Sequence, residues 1–154
     1  MPFHIVLVEP EIPANTGNIA RTCAVTGACL HLVHPLGFST EDRYLKRAGL
    51  DYWHAVRVFH YGSFREVKER FPGGRFFCAT TKAKRLYTEF RYADGDFLVF
   101  GKETKGLPDW ILDEHADSCM RIPMADSARS LNLSNAAAIV LYEALRQNGF
   151  PGLG

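Results

Sequence analysis

The sequence predicts an α/β protein, a mostly parallel β-sheet covered by helices. Three observations predict it. Short apolar runs of strand length recur along the chain, segments with helical character separate them, and small polar residues gather where strands would turn into helices.

The elements follow in order. Residues 3–8 read as a first buried strand and 16–26 as the helix after it, while 30–33 and 56–59 read as the second and third strands. A helix over 63–71 comes next, and Pro72-Gly73-Gly74 marks a tight turn before a fourth strand at 75–79. Residues 97–100 form a fifth apolar run, and a short helix is expected over 108–112, with Pro108 suited to a first helical position. The final helix has the plainest pattern. Leu133, Ala136, Ala137, Val140, Leu141 and Ala144 repeat at three- and four-residue steps, and Gly149 and Pro151 serve as stop signals.

With 154 residues and no repeat or Pro/Gly/Ser linker, residues 1–154 are expected to form a single domain. Hydrophobic residues at 47% against 23% charged exclude a disordered chain. No run approaches a membrane span, and Met1-Pro2-Phe3-His4 lacks the basic-then-apolar layout of a signal peptide, so a cytoplasmic protein with no membrane partner is expected. Cys23, Cys29, Cys78 and Cys119 form no C-x-x-C pair, which favours buried reduced thiols over zinc or disulfides. His31 and His34 fall three apart on a strand and so point to opposite faces; no metal is expected. A net charge of +1 excludes a whole-molecule pull on nucleic acid, so any RNA site must be a local patch.

Three segments hold polar residues at expected strand-to-helix turns, where open α/β sheets bind ligands. The first is Asn15-Thr16-Gly17-Asn18-Ile19-Ala20-Arg21, in which Asn15 or Thr16 can cap a helix and Arg21 lies near the same mouth. The second is Gly101-Lys102-Glu103-Thr104-Lys105-Gly106-Leu107; it lacks the Gly-Lys-Ser/Thr ending of a phosphate loop, and no G-x-G-x-x-G exists to support a dinucleotide-binding oxidoreductase. The third runs from Arg121-Ile122-Pro123-Met124 through 125–129 into Ser130-Leu131-Asn132-Leu133-Ser134-Asn135, where Ser130 or Asn132 can cap the long helix and its dipole faces the loop.

Taken together and in this order, N-x-G-N-I-A-R, F-G-x-E-x-x-G-L, and R-I-P-M followed by S-L-N-L-S-N-A resemble the signature motifs of the SpoU branch of the SPOUT methyltransferases. The likeness extends from Ile5-Val6-Leu7-Val8-Glu9-Pro10, through Arg47-Ala48-Gly49-Leu50-Asp51-Tyr52, to Gly149-Phe150-Pro151-Gly152. It looks closest to the minimal members that modify the wobble nucleotide of tRNA, cytidine or uridine at position 34. The resemblance implies a Rossmann-like parallel sheet whose C-terminal part is threaded into a deep trefoil knot. It implies S-adenosylmethionine as cofactor, held by Ala79, Thr80, Gly101, Glu103, Ile122, Met124, Ser130 and Leu131, with Gly101 leaving room for a folded-up ligand. It also implies transfer of a methyl group to a ribose 2′-hydroxyl.

Arg21 is the implied catalytic residue. A guanidinium stays protonated at working pH, so it suits stabilising a developing alkoxide better than removing a proton. The resemblance casts Asn15, Glu103 and Asn132 as positioning groups. It puts Tyr142 at a dimer interface or near the target nucleotide, with a core tyrosine as the alternative. Asp126 and Ser127 receive no role. Two cationic clusters, Arg43/Lys46/Arg47 and Lys82/Lys84/Arg85 with Tyr87, are candidates for tRNA contact, and a homodimer, the family's usual arrangement, would combine patches from two chains. Methylation of ribosomal RNA or of another tRNA position, and a non-catalytic RNA-binding protein of the same fold, are the competing readings.

Overall fold

A computed structural model describes residues 2–49 and 53–154. The expected R-A-G-L-D-Y run therefore lies partly outside the described residues, at Leu50, Asp51 and Tyr52.

Among the described residues six strands form one parallel sheet: β1 (His4–Val8), β2 (Cys29–Val33), β3 (Val58–Tyr61), β4 (Phe76–Ala79), β5 (Phe97–Phe100) and β6 (Cys119–Met120). Their spatial order is β3-β2-β1-β5-β4-β6, and every paired neighbour is parallel. The chain first works outward from β1 to β3, then crosses to the other half of the sheet. That reversal places the C-terminal ends of β1 and β5 side by side, the position where a crevice opens in sheets of this class.

Among the described residues five α-helices join the strands: α1 (Pro13–Thr26), α2 (Arg43–Gly49), α3 (Phe64–Arg70), α4 (Asp109–Glu114) and α5 (Leu133–Gln147). Side chains alternate between two cores, as pleating requires. Ile5, Leu7, Leu30, Leu32, Leu98 and Phe100 pack under α1 and α5 with Ile19, Val140 and Leu141. Val6, Val8, Val99, Phe76 and Phe97 pack under α3 and α4 with Phe64, Val67 and Ile111. Because both faces are covered, β1, β2 and β5 are buried at every position.

Several elements differ from the sequence reading. The third strand starts two residues late, since a 3-10 turn at Trp53–Ala55 occupies the preceding chain and Val56 is spent as core. Helix α2 was not expected; seven residues bearing Arg43, Lys46 and Arg47 carry too short an apolar pattern to signal a helix. Helix α4 begins at Asp109 with Pro108 as its N-cap. Helix α1 begins at Pro13, whose ring presets the helical φ, so neither Asn15 nor Thr16 is the cap. The last helix matches expectation, with Leu133, Ala137, Val140, Leu141, Ala144 and Leu145 buried.

His31 points into the core and His34 away from it. His31 shares hydrogen bonds with His4 (2.8 Å) and with the Tyr61 hydroxyl (2.9 Å), in a nest that includes Phe59, Phe71 and Phe97. Burial, with Arg57 nearby, holds the His4 imidazole down to about 4; burial, with His4 and Arg70, holds His31 down to about 3. All four cysteines are free thiols, Cys119 half-buried and the others buried, and burial pushes each upward in pKa. No helix among the described residues is long and apolar enough to cross a membrane.

Candidate active site

A cleft of about 560 Å³ opens at the C-terminal ends of β4, β5 and β6. Its volume lies within the usual range for small-ligand sites. Ten of the residues expected from the sequence line it: Asn15, Ala79, Thr80, Gly101, Glu103, Ile122, Met124, Ser130, Leu131 and Asn132. Three segments far apart in the chain therefore share one cavity. Arg21 and Tyr142 do not line it: Arg21 is exposed further along α1, and Tyr142 is 42% exposed on α5. Asp126 and Ser127 also lie outside the lining.

The segments are bonded as well as adjacent. Glu103 Oε1 accepts from the Glu11 amide (2.8 Å), and Oε2 accepts from the Ile12 amide (3.0 Å) and from Asn15 Nδ2 (3.1 Å). A carboxylate at a helix start meets donors with no partner inside the helix and the positive end of the dipole. Glu103 thus serves α1, which has no side-chain cap of its own and no acidic residue in its first turn. Asn15 Oδ1 accepts from Asn132 Nδ2 at 3.0 Å, and Asn132 Oδ1 accepts from the Ser134 amide (2.9 Å), the Ser134 hydroxyl (2.6 Å) and the Asn135 amide (3.3 Å). Those donors settle which end of each amide is oxygen, so one polarised chain runs from the start of α5 to the start of α1.

Gly101 has a reason within the chain itself besides the expected one. A Cβ there would collide with the backbone of Gly106 and Leu107, because the 101–107 loop folds back on itself, with the Gly106 amide donating to the Lys102 carbonyl at 2.8 Å. The glycine lets the loop close on itself while its backbone lines the cleft.

The electrostatics of the cleft are cationic. Lys82, Lys102, Lys105, Arg121 and Arg129 line it. Lys82 reaches Asp109 at 3.4 Å and Lys102 reaches Glu9 at 3.5 Å. Of the two clusters expected to meet RNA, Lys82 alone lines the cleft. Arg85 packs on Phe90 and donates to the Glu89 carbonyl, while Arg43 packs on Tyr44 and Lys46 pairs with Glu41. Arg121 and Arg129 fall within the third segment, but they do not cluster with other cations in the sequence and so were missed as RNA-facing charges. Among the described residues no group of three or more His, Cys, Asp or Glu side chains could hold a metal.

Comparison with known proteins agrees with this geometry. The SpoU rRNA methylase family matches residues 2–142. The Escherichia coli (strain K12) tRNA (cytidine(34)-2'-O)-methyltransferase is 50% identical over 151 residues, covering 97% of this chain and 96% of its own length. A crystal structure from Bacillus anthracis superposes with a TM-score of 0.92 at 56% identity, over 98% of this chain and 97% of that one. A structure giving insight into the 2-OH methylation of C/U34 on tRNA also has a TM-score of 0.92, at 44% identity and 96% coverage of each chain. The AviRb methyltransferase of Streptomyces viridochromogenes in complex with AdoMet superposes at 0.84 with 27% identity, over 94% of this chain and 60% of that one. The chain belongs to the SpoU methylase family.

Proposed function

We propose that this protein transfers a methyl group from S-adenosylmethionine to the ribose 2′-hydroxyl of the wobble nucleotide, cytidine or uridine 34, of tRNA. The observation that carries the reading is the meeting of all three signature segments in one cleft, tied together through Glu103, Asn15 and Asn132. The designation of the Escherichia coli relative supports the substrate, and the AdoMet complex of a family member supports the cofactor.

The cleft suits that cofactor. Ala79, Ile122, Met124 and Leu131 offer apolar surface to an adenosine, and Thr80, Glu103 and Ser130 offer polar atoms beside it. S-adenosylmethionine supplies an electrophilic methyl group, so the protein's work is alignment and stabilisation of the oxygen that attacks. The Glu103–Asn15–Asn132 chain holds α1 and α5 at a fixed separation, and the cations along the cleft receive RNA phosphates. Arg21 stabilises the developing alkoxide while the proton leaves to phosphate or water.

Arg21 and Tyr142 both lie outside the cleft of their own chain, on α1 and α5, which pack on one core and also carry the exposed Val25 and Ile139. We therefore include a homodimer in the proposal, in which these two helices pack against a second copy and Arg21 meets a cleft across the interface. A single domain spanning 1–154, working in the cytoplasm and threaded through the trefoil knot that the family resemblance implies, completes it.

Tritiated methyl transfer to total tRNA, followed by nucleoside identification, is expected to give 2′-O-methylcytidine or 2′-O-methyluridine at position 34; label confined to ribosomal RNA or to another tRNA position would reject the substrate. Arg21→Ala should abolish most of the rate while leaving cofactor affinity nearly intact, and near-normal turnover would remove its assignment. Sedimentation at micromolar concentration should give a dimer.

A further inference from the structure

Successive residues of the 101–107 loop each reach the turn between β1 and α1. Lys102 Nζ lies 3.5 Å from Glu9 Oε1, and the Glu103 carboxylate accepts the Glu11 and Ile12 amides. Thr104 then donates twice to Glu11 Oε1, from its amide at 3.0 Å and its hydroxyl at 2.8 Å. Two carboxylates thus cross the same gap in opposite directions. Those hydrogen bonds, the hydroxyl's foremost, hold the Glu11 carboxyl below its ordinary range.

The turn is itself braced. The Gly37 amide donates to the Pro10 carbonyl at 2.9 Å, and a Cβ at Gly37 would lie 2.7 Å from the Glu11 Cα. Glu9 sits at φ 55, a left-handed conformation that non-glycine residues keep only where surrounding contacts impose it. Lys102, Glu103, Thr104 and Lys105 line the cleft, and Glu11 does not. It acts on the cleft from outside.

We propose that Glu11 is a positioning residue for methyl transfer: its carboxylate pins Thr104 and so fixes the loop wall against which the cofactor rests. This rests on the cofactor reading above. Without Glu11 the loop is held to the turn by Glu103 and the longer Lys102–Glu9 pair; the two Thr104 bonds add an anchor one residue beyond Glu103 and limit pivoting of the wall. Glu11 contributes this without a buried contact, so its loss leaves the fold standing.

The test compares the full-length wild type with Glu11→Ala and Glu11→Gln. In cofactor-free protein, hydrogen exchange at the Thr104 amide should accelerate about tenfold in Glu11→Ala, which loses the acceptor, and by no more than about twofold in Glu11→Gln, which keeps one. Calorimetry with S-adenosylmethionine should show a Kd raised about tenfold in Glu11→Ala and nearly restored in Glu11→Gln, at unchanged melting temperature. Wild-type exchange or wild-type affinity in Glu11→Ala overturns the assignment, as does a Gln variant as impaired as the Ala one. If wild type itself binds no S-adenosylmethionine, the function proposed above falls too; if wild type binds and Glu11→Ala binds equally well, only the role of Glu11 falls.

Discussion

Two helices start at the cleft and obtain their caps from opposite distances. At the head of α5, Asn132 accepts the amides of Ser134 and Asn135, two and three residues on. At the head of α1 the amides of Ile12, its N-cap, and of Glu11 before it donate to Glu103, whose bond to Ile12 spans 91 positions. A local cap travels with its helix and needs nothing else from the fold. A distant one exists only once β1 and β5 have paired and the 101–107 loop is in place. The start of α1 therefore reports on the assembled cleft, whereas the start of α5 helps to build it. Asn15 and Asn132 join the two.

That contrast can be broken by removing each cap in turn. Glu103→Ala should have the largest effect, because it strips three donors at once and cuts α1 from the loop: a loss of about 2 kcal/mol by urea unfolding, with methyl transfer down at least about a hundredfold. A variant as stable as wild type would mean that solvent serves α1 equally well.

Acid offers a second separation, since it acts on another set of distant polar contacts and leaves the Asn132 cap untouched. His4 and His31 are neutral in the fold, at about 4 and about 3, and take up protons near pH 6.5 when unfolded. Their folded values are depressed, so the unfolded chain binds more protons below that point. Stability is full above about pH 6.5 and falls as the pH drops toward 4, by about 1.4 kcal/mol for each histidine between pH 7.5 and 5.5. His31→Gln should flatten that slope in urea titrations at the two pH values.

Asn132→Ala should cost less, about 1 kcal/mol, the size of a lost N-cap. The sharpest variant has the smallest effect on stability. Asn132→Asp keeps the oxygen that caps α5 but replaces the amide donor to Asn15 with a second acceptor. Its unfolding midpoint should stay within about 0.5 kcal/mol of wild type while its methylation rate drops about tenfold or more. If rate and stability move together, the Asn15–Asn132 bond is only a cap and not a link between the two helices.

Much of the cleft could be read from the sequence because its residues occur in three compact runs with unusual polar content. Gly101-Lys102-Glu103 after an apolar strand, and Ser130-Leu131-Asn132 before a long amphipathic helix, announce turns at the ends of elements. Helix α5 was legible residue by residue because one stripe faces a core. Other features were not. Asn15 looks like a cap from its neighbours alone, yet Pro13 starts the helix earlier and frees the Asn15 side chain to join Glu103 and Asn132. Gly101 reads as clearance for a ligand, and only the folded loop shows that it also makes room for Gly106 and Leu107. Arg121 opens the R-I-P-M run and Arg129 precedes Ser130, yet nothing in that pattern marks either as a cation of the cleft.

The parallel α/β class, the long final helix and the three polar turns follow from local pattern, because periodicity and turn chemistry act over a few residues and need no partner. That Glu103 caps a helix begun ninety residues earlier, that Glu11 grips Thr104, and that Arg21 stands outside its own cleft came from long-range packing. Those outcomes depend on which strands lie side by side, and strand order is set by the packing of both cores together rather than by any one segment.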